Sequence, residues 1–254
     1  MIMNKIPFDP IERAHEIQKL ISKGNLRKYY RFRGARFYGG IATADCVGCN
    51  LNCLFCWSWS KVKRPDRFGQ FYSPEDAAKK LTNIARGRNF HQIRISGNEP
   101  ILSREHLLEV LERIPEDITF ILETNGLLIG HEESYAKDLS SFKNLHVRVS
   151  LKGSTEEEFT RLTGAKEEGF RLQLKALEHL NRYGIHAHPA VMVSFSPQEN
   201  LKGLGERLQK ISPKFQDMEV EELVLYGNIE KRLKEAGLLF RSAYAPQRIP
   251  PDQI

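Results

Sequence analysis

Cysteines and long apolar stretches are scarce in this sequence of 254 residues. No run of about eighteen apolar residues is present to span a bilayer, and residues 1–10 lack the pattern of a signal peptide. We therefore expect a cytoplasmic protein with no membrane partner. The four cysteines lie within eleven residues, at Cys46, Cys49, Cys53 and Cys56. This crowding excludes a disulfide framework for the whole fold and indicates metal ligands or reactive thiols.

Acidic residues are absent from one basic segment, residues 23–38, in a chain whose formal net charge is +6. The segment interleaves basic side chains with aromatic rings: Lys23, Arg27, Lys28, Tyr29, Tyr30, Arg31, Phe32, Arg33, Arg36, Phe37 and Tyr38. More bases follow the cysteines, at Lys61, Lys63, Arg64 and Arg67. This charge favours an anionic partner such as RNA or a small metabolite. The alternative is a strand whose rings pack inward and whose charges are solvated.

Patterns typical of strands and helices alternate along the chain. Strands are predicted at 37–44, 91–95, 118–122, 145–151, 185–193 and 220–226. Helical periodicity marks 74–87, 103–113, 132–141, 168–183, 199–211 and 228–237. Strands that are nearly continuously apolar and alternate with helices predict a parallel sheet. Six such units indicate an α/β fold, a partial (βα)6 TIM-like barrel, with a doubly wound sheet as the alternative.

The length of the chain suits a single domain over residues 1–254. We expect its core at about 38–237, with an N-terminal extension (1–37) and a C-terminal tail (238–254). Asp9 and Pro10 mark the N-cap and first residue of a helix within the extension. In either predicted fold the active site lies where the parallel strands end, at their carboxyl termini.

The cysteine loop has the spacing C-x3-C-x2-C, from Cys49 through Cys53 to Cys56. Such a loop can offer three thiolates to three corners of an iron-sulfur cube, which leaves one iron open to a small molecule. The rival is a tetrahedral zinc site that pairs Cys46 with Cys49 and Cys53 with Cys56. Only three residues separate these pairs, whereas zinc ribbons usually have about a dozen or more between them. Cys46 could ligate a second centre or resolve a radical intermediate, but no second cysteine cluster exists to complete another [4Fe-4S] site, so we expect it to be a bystander.

This cysteine motif, with Phe55 before its last cysteine, resembles the signature of the radical S-adenosylmethionine (SAM) superfamily. Later segments fit the resemblance in order. Ser96-Gly97-Asn98-Glu99-Pro100 is similar to the family's GGEP motif, with Asn98 in place of the second glycine. Three further segments resemble the D-T-N-G, D-L-K and L-T-G segments of glycyl-radical activating enzymes of the pyruvate formate-lyase type: Glu123-Thr124-Asn125-Gly126, Val149-Ser150-Leu151-Lys152-Gly153 and Leu162-Thr163-Gly164.

The resemblance implies an enzyme whose [4Fe-4S] cluster, bound by Cys49, Cys53 and Cys56, donates one electron to the sulfonium of SAM. The C5'–S bond of SAM breaks, and the 5'-deoxyadenosyl radical then takes a hydrogen atom from a substrate. It further implies an external one-electron donor of the flavodoxin or ferredoxin type. Residues 190–193 and 225–227 would help to hold adenine. The implied SAM-binding residues stand at strand ends: Gly97, Asn98, Glu99, Glu123, Asn125, Ser150 and Lys152.

The substrate stays open at this stage, and no catalytic residue is assigned beyond the cofactor-binding set. The motif resemblance suggests a glycyl-radical partner protein, whereas the basic segment suggests RNA or an anionic small metabolite. A hypothesis of another class is a non-enzymatic iron-sulfur protein that transfers electrons or regulates. A plain electron carrier is expected to supply four protein ligands to its cluster, so the motif with three cysteines argues against it.

Overall fold

The computed structural model describes residues 6–250, in which helices alternate with strands. Residues 1–5 of the expected extension and 251–254 of the expected tail lie outside this range. The strands are β1 (Ser22–Lys23), β2 (Leu26–Ala35), β3 (Ile41–Cys46), β4 (Gln70–Tyr72), β5 (Gln92–Ser96), β6 (Thr119–Thr124), β7 (Leu145–Leu151), β8 (His186–Met192) and β9 (Glu219–Glu221). The helices are α1 (Pro10–Ile21), α2 (Trp59–Lys63), α3 (Pro74–Gly87), α4 (Arg104–Glu112), α5 (Leu127–His131), α6 (Glu133–Leu139), α7 (Glu156–Thr163), α8 (Glu168–Arg182), α9 (Gln198–Ile211) and α10 (Ile229–Glu235).

All described strands belong to one sheet, with the order β1-β2-β3-β5-β6-β7-β8-β9 and β4 paired to β2. The six strands from β3 to β9 run parallel, and β1, β2 and β4 add antiparallel ladders beside β3. Within residues 6–250 no ladder joins β9 to the strands at the other end. The predicted α/β fold with six parallel strands, the arrangement of a partial barrel, is confirmed.

The two faces of the sheet differ in chemistry because successive strand residues point to opposite sides. In β3, Ala42, Ala44 and Cys46 join the apolar core that includes the buried side of α3. Thr43 and Asp45 point to the other, inner face, where they meet arginines of β5 and β2. The inner face is therefore polar, and the helices cover the apolar face.

The first and last predicted strands differ from the structure. The predicted strand 37–44 begins at Ile41, because Phe37–Gly39 form a 3-10 turn in which Tyr38 has a left-handed φ of 54°. The predicted strand 220–226 is limited to Glu219–Glu221, so 225–227 lie in the loop before α10. Residues 26–35 of the expected extension form β2, which joins the sheet itself. The expected helix at the N-terminus is present as α1, capped by Asp9, which accepts hydrogen bonds from the N–H groups of Ile11 and Glu12.

No helix within residues 6–250 is long and apolar enough to cross a membrane.

Candidate active site

The cysteine loop leaves the carboxyl end of β3 and gathers three thiols. Burial raises the pKa of Cys49 well above its usual value, and the negative charges of Glu99, Cys53 and Cys56 add to this rise. Burial likewise raises the pKa of Cys53 to about 12, and Cys56 adds to it. The three thiols stand in one short loop and influence one another electrostatically. A turn holds the loop, since the N–H of Cys56 donates to the carbonyl of Cys53 at 2.9 Å.

The chemistry of this thiol set fits an iron-sulfur cluster. Thiolates are the usual protein ligands of such clusters, and burial protects the cluster from solvent. The ammonium of Lys152 favours the thiolate forms of Cys53 and Cys56, and Arg232 and Lys61 favour that of Cys56. Within residues 6–250, no three His, Cys, Asp or Glu side chains are arranged to hold a single metal ion.

Cys46 is the last residue of β3 and lies on the apolar face of that strand. Its side chain is fully buried in the core cluster that also contains residues of α3. Burial raises the pKa of its thiol, and the neighbouring guanidinium of Arg27 opposes the rise. This placement supports the expected bystander role and weakens the zinc alternative, which needs Cys46 as a ligand.

Hydrogen bonds from two helices far along the chain, α7 and α10, hold the cysteine loop in place. The N–H groups of Asn52 and Leu54 donate to the carbonyls of Thr163 and Leu162, at 3.2 and 2.9 Å. These carbonyls belong to the L-T-G segment at the end of α7. From α10, the guanidinium of Arg232 donates to the carbonyls of Leu54 and Cys56, both at 2.7 Å. The position of the three thiols therefore depends on parts of the chain more than a hundred residues away.

The segment Ser96–Pro100 lies directly against the cysteine loop. The N–H of Gly48 donates to Asn98 Oδ1 at 2.9 Å, and the N–H of Glu99 donates to the Gly48 carbonyl at 3.0 Å. Gly97 has a φ of 93°, and a Cβ there would stand 3.1 Å from the Cα of Asp45. Glycine is needed at Gly97 because this backbone conformation and this close approach both disfavour a side chain.

Glu99 organises its surroundings and points away from solvent. Its carboxylate accepts from Thr124 Oγ1 at 2.6 Å and from the N–H of Asn125 at 2.8 Å. Burial raises the pKa of Glu99, and these hydrogen bonds oppose the rise. Asn125 in turn donates through Nδ2 to Asn50 Oδ1 at 2.8 Å. Gly97, Asn98, Glu99 and Asn125 thus form one network with the cysteine loop.

Glu123 lies deeper, in a layer of ion pairs on the inner face of the sheet. Its carboxylate accepts from Arg94 at 2.6 Å, from Ser96 at 2.7 Å and from the hydroxyl of Tyr38 at 3.0 Å. Burial raises its pKa, but Arg94 and Arg148 outweigh that effect and the net pKa is lowered. The prediction places Glu123 beside the cofactor, whereas the structure gives its carboxylate three protein partners.

Ser150 and Lys152 stand at the end of β7. Lys152 Nζ donates to Ser150 Oγ at 2.6 Å, and Ser150 Oγ donates to Glu221 of β9 at 2.9 Å. Arg148 also belongs to this layer of ion pairs. A nitrogen of its guanidinium lies 2.6 Å from a carboxylate oxygen of Glu219 and 2.9 Å from one of Glu221. All seven predicted cofactor-binding residues therefore lie at the carboxyl ends of β5, β6 and β7. Lys152 links the ion-pair layer to the cysteines.

Two buried polar side chains of this region were not anticipated. Gln173 of α8 donates to the carbonyls of Asn125 and Ser150 at 2.7 and 2.9 Å, and it accepts from the N–H of Lys152 at 3.1 Å. Glu158 of α7 accepts from Ser154 and Ser196, each at 2.7 Å. Each of these side chains therefore lies on a helix and forms hydrogen bonds with loops that follow strands. Polar residues within amphipathic helices gave no local signal of this role.

Comparison with known proteins places the chain in a family. Residues 45–206 match the model of the radical SAM superfamily. A 7-carboxy-7-deazaguanine synthase of Methanothermobacter thermautotrophicus is 34% identical over 107 residues, which cover 41% of this chain and 40% of that protein. A GTP 3',8-cyclase of Syntrophomonas wolfei is 27% identical over 155 residues, covering 59% of this chain and 46% of that protein. The chain thus spans less than half the length of either relative.

Solved structures share the fold. SuiB of Streptococcus suis bound to the precursor peptide SuiA superposes with a TM-score of 0.59 at 15% identity, over 92% of this chain and 52% of SuiB. The chain belongs to the radical SAM superfamily, a class of enzymes whose cofactors are a [4Fe-4S] cluster and SAM. Within the superfamily, its closeness to glycyl-radical activating enzymes stays a prediction from motifs.

Proposed function

We propose that Cys49, Cys53 and Cys56 hold the cluster and that the neighbouring strand ends bind SAM. The observation that carries this proposal is the set of three thiols of Cys49, Cys53 and Cys56 in one short loop, which is bonded through Gly48 to the Ser96–Pro100 segment. With SAM bound, such a cluster would supply the single electron for cleavage of the C5'–S bond of SAM and hence for radical chemistry on a substrate.

The roles of the protein residues follow from their positions. The backbone at Gly97 and Asn98 offers polar edges beside the cysteines, suited to the methionine ammonium of SAM. Lys152 offers a cation beside Cys53 and Cys56, suited to a carboxylate. Glu99 and Gln173 position these groups through the hydrogen bonds described above. Residues 190–193 are proposed to hold adenine, whereas Tyr226 of the predicted 225–227 segment lines a groove near residues 33–40 instead.

For the substrate we propose an anionic small metabolite with a heterocyclic ring. Two relatives support this class, because one is named for GTP and the other for 7-carboxy-7-deazaguanine. RNA has less support, since Arg27 of the basic segment is buried and Arg31 and Arg33 share the carboxylate of Asp45. A glycyl-radical partner protein rests on motif resemblance alone. The electron is proposed to come from an external carrier.

The test combines iron content with SAM cleavage in anaerobically reconstituted protein. We expect the wild type to hold about four irons and to form 5'-deoxyadenosine when reduced. Cys49→Ala, Cys53→Ala and Cys56→Ala should each lose most of the iron and all of the cleavage.

Cys46→Ala is the matched control in the same segment. It should retain the iron content and cleavage of the wild type, because its fully buried thiol packs among core side chains beside Arg27. If Cys46→Ala empties the site as fully as the other three variants, ligation by four cysteines is correct and the proposal is wrong.

A further inference from the structure

A groove lies at the end of the sheet opposite the cysteine loop. It has a volume of about 650 Å³ and lies between residues 33–40, the turn before β5, and the chain after β9. Gly34 pairs with Ala42, four residues before Cys46 in β3. At about 3.3 Å per residue, the groove lies roughly 13 Å along the strand from the cysteine loop. It is therefore a place distinct from the proposed SAM site.

The groove is positively charged. Three of the described residues that line it are arginines, Arg33, Arg36 and Arg88, and none of them is Asp or Glu. The guanidinium of Arg33 forms an ion pair with the carboxylate of Asp45, at 3.0 Å. The side chains of Arg36 and Arg88 are exposed and have no hydrogen bond or ion pair with any residue in the described part of the chain. Two guanidinium groups thus face the groove with their donors available.

Aromatic rings stand beside these cations. Phe37, Phe90 and Tyr226 line the groove, and Tyr226 is 40% exposed. Two glycines make the arrangement possible. A Cβ at Gly34 would come within 2.8 Å of the Arg88 side chain, and one at Gly40 within 2.6 Å of the Phe90 ring. The backbone thus leaves room for one guanidinium and one ring to lie against it.

We propose that this groove is a binding site for a nucleoside phosphate. Guanidinium groups bind phosphate oxygens through paired donors, and aromatic rings stack on a base. The volume lies within the usual 300–1,000 Å³ of small-molecule sites, which favours a single nucleotide over a polymer. The inference goes beyond the proposed SAM chemistry and does not depend on it.

The experiment measures binding to the reconstituted enzyme, saturated with SAM, by calorimetry with GTP, guanosine and pyrophosphate as separate probes. GTP should bind more tightly than either fragment, because only GTP offers both ring and phosphates. The double variant Arg36→Gln/Arg88→Gln should weaken GTP binding at least about tenfold, since two charge-assisted contacts are lost. These side chains are exposed, so the variant is expected to fold normally.

Arg86→Gln is the matched control, because Arg86 is an exposed arginine of α3 two residues from Arg88 that pairs with Asp117. It should leave the affinity for GTP unchanged. The proposal is overturned if GTP fails to bind, if the double variant binds it equally well, or if GTP binds only when SAM is left out. It is likewise overturned if a single-stranded RNA of twelve nucleotides binds far more tightly than GTP, with a steep salt dependence, because the partner is then a nucleic acid.

Discussion

Buried polar side chains decide the local structure at the candidate site. Arg27, which composition alone counts as a surface charge, is 1% exposed and donates to the carbonyl of Glu99 at 2.7 Å and to Ser103 Oγ at 2.6 Å. It thus satisfies acceptors behind the Ser96–Pro100 segment. Burying a charge in this way is tolerated only with such partners. The basic segment therefore contributes structure at Arg27 and a charged groove at Arg33 and Arg36.

Among individual residues, those that stand in one short motif or directly after a strand could be predicted from the sequence. Cys49, Cys53 and Cys56 stand in one motif, and Gly97 and Asn98 follow a strand, so both groups were identified from their order in the chain. Gln173 and Glu158 act on loops 21 to 48 residues away in sequence, through contacts that only the folded chain creates. No spacing rule connects such residues to the site.

His106 gives a prediction for the dependence of stability on pH. Its Nδ1–H donates to the carbonyl of Asn25 at 2.7 Å, so the neutral ring accepts at Nε2 from the hydroxyl of Tyr29 at 2.8 Å. Burial lowers the pKa of His106 to about 4, against about 6.5 in the unfolded chain. The unfolded state therefore takes up the proton first as pH falls. Stability should decrease from about pH 6.5 to about pH 4, by about 2 kcal/mol at pH 5.

Denaturant unfolding at pH 7 and pH 5 checks this with the variant His106→Gln. Glutamine can keep both hydrogen bonds but does not titrate, so the wild type should lose about 2 kcal/mol more than the variant between these pH values. His15→Gln, at an exposed position of α1, serves as the control and should behave as the wild type. Equal losses in wild type and His106→Gln would show that His106 is not the responsible group.

At the scale of elements, the central strands were predictable and the edges were not. β7 was predicted with its observed bounds, and β5, β6 and β8 within two residues, because both faces of a central strand give a clear pattern. The outer strands lack that pattern. β2 carries arginines on the inner face of the sheet, and the 3-10 turn at Phe37–Gly39 replaces the expected start of β3. Tertiary contacts with Glu123 and Arg94 decide the position of that turn.

The crossing of α5 and α8 yields a prediction about packing. A Cβ at Gly130 of α5 would overlap the carbonyl oxygen of Leu172 in α8 and would stand 3.1 Å from the Ala176 nitrogen. A backbone carbonyl cannot rotate away as a side chain can. We therefore expect Gly130→Ala to lower the free energy of unfolding by about 3 kcal/mol, measured by denaturant titration. It should also raise the KM for SAM, because α5 follows directly after Asn125.

Gly87→Ala in α3 is the matched control, because it makes the same glycine-to-alanine change in another helix. No atom lies within 4 Å of the Cβ position at Gly87, so alanine should leave stability unchanged or raise it by up to about 1 kcal/mol. If both variants unfold at the same denaturant concentration, the close contact of α5 with α8 does not require glycine at Gly130.

Charge is unevenly distributed over the whole molecule, with a basic collar beside the cysteine loop. We define this collar as Lys61, Lys63, Arg64 and Arg67, on α2 and the turn after it. Aromatic rings support three of these cations. Lys61 lies 5.2 Å from the ring centres of Tyr30 and Phe68, Lys63 lies 5.0 Å from that of Trp59, and Arg64 lies 6.0 Å from that of Phe68. Trp57, 48% exposed, stands next to Cys56. A cationic rim around an exposed aromatic ring suits an acidic protein partner.

The last prediction concerns the electron carrier of the proposed reaction. An acidic carrier is expected to approach the cluster through the collar, because opposite charges steer association and electron transfer needs a short path. Arg64→Gln/Arg67→Gln should therefore raise the KM for a flavodoxin donor several-fold at low salt, and the difference should shrink as screening increases. SAM cleavage driven by dithionite should be unchanged, since a small reductant needs no docking surface. Arg113→Gln, on the exposed end of α4, should alter neither reaction. A double variant that loses dithionite-driven cleavage as well has a damaged site, whereas one that keeps the wild-type KM for flavodoxin shows that the carrier docks elsewhere.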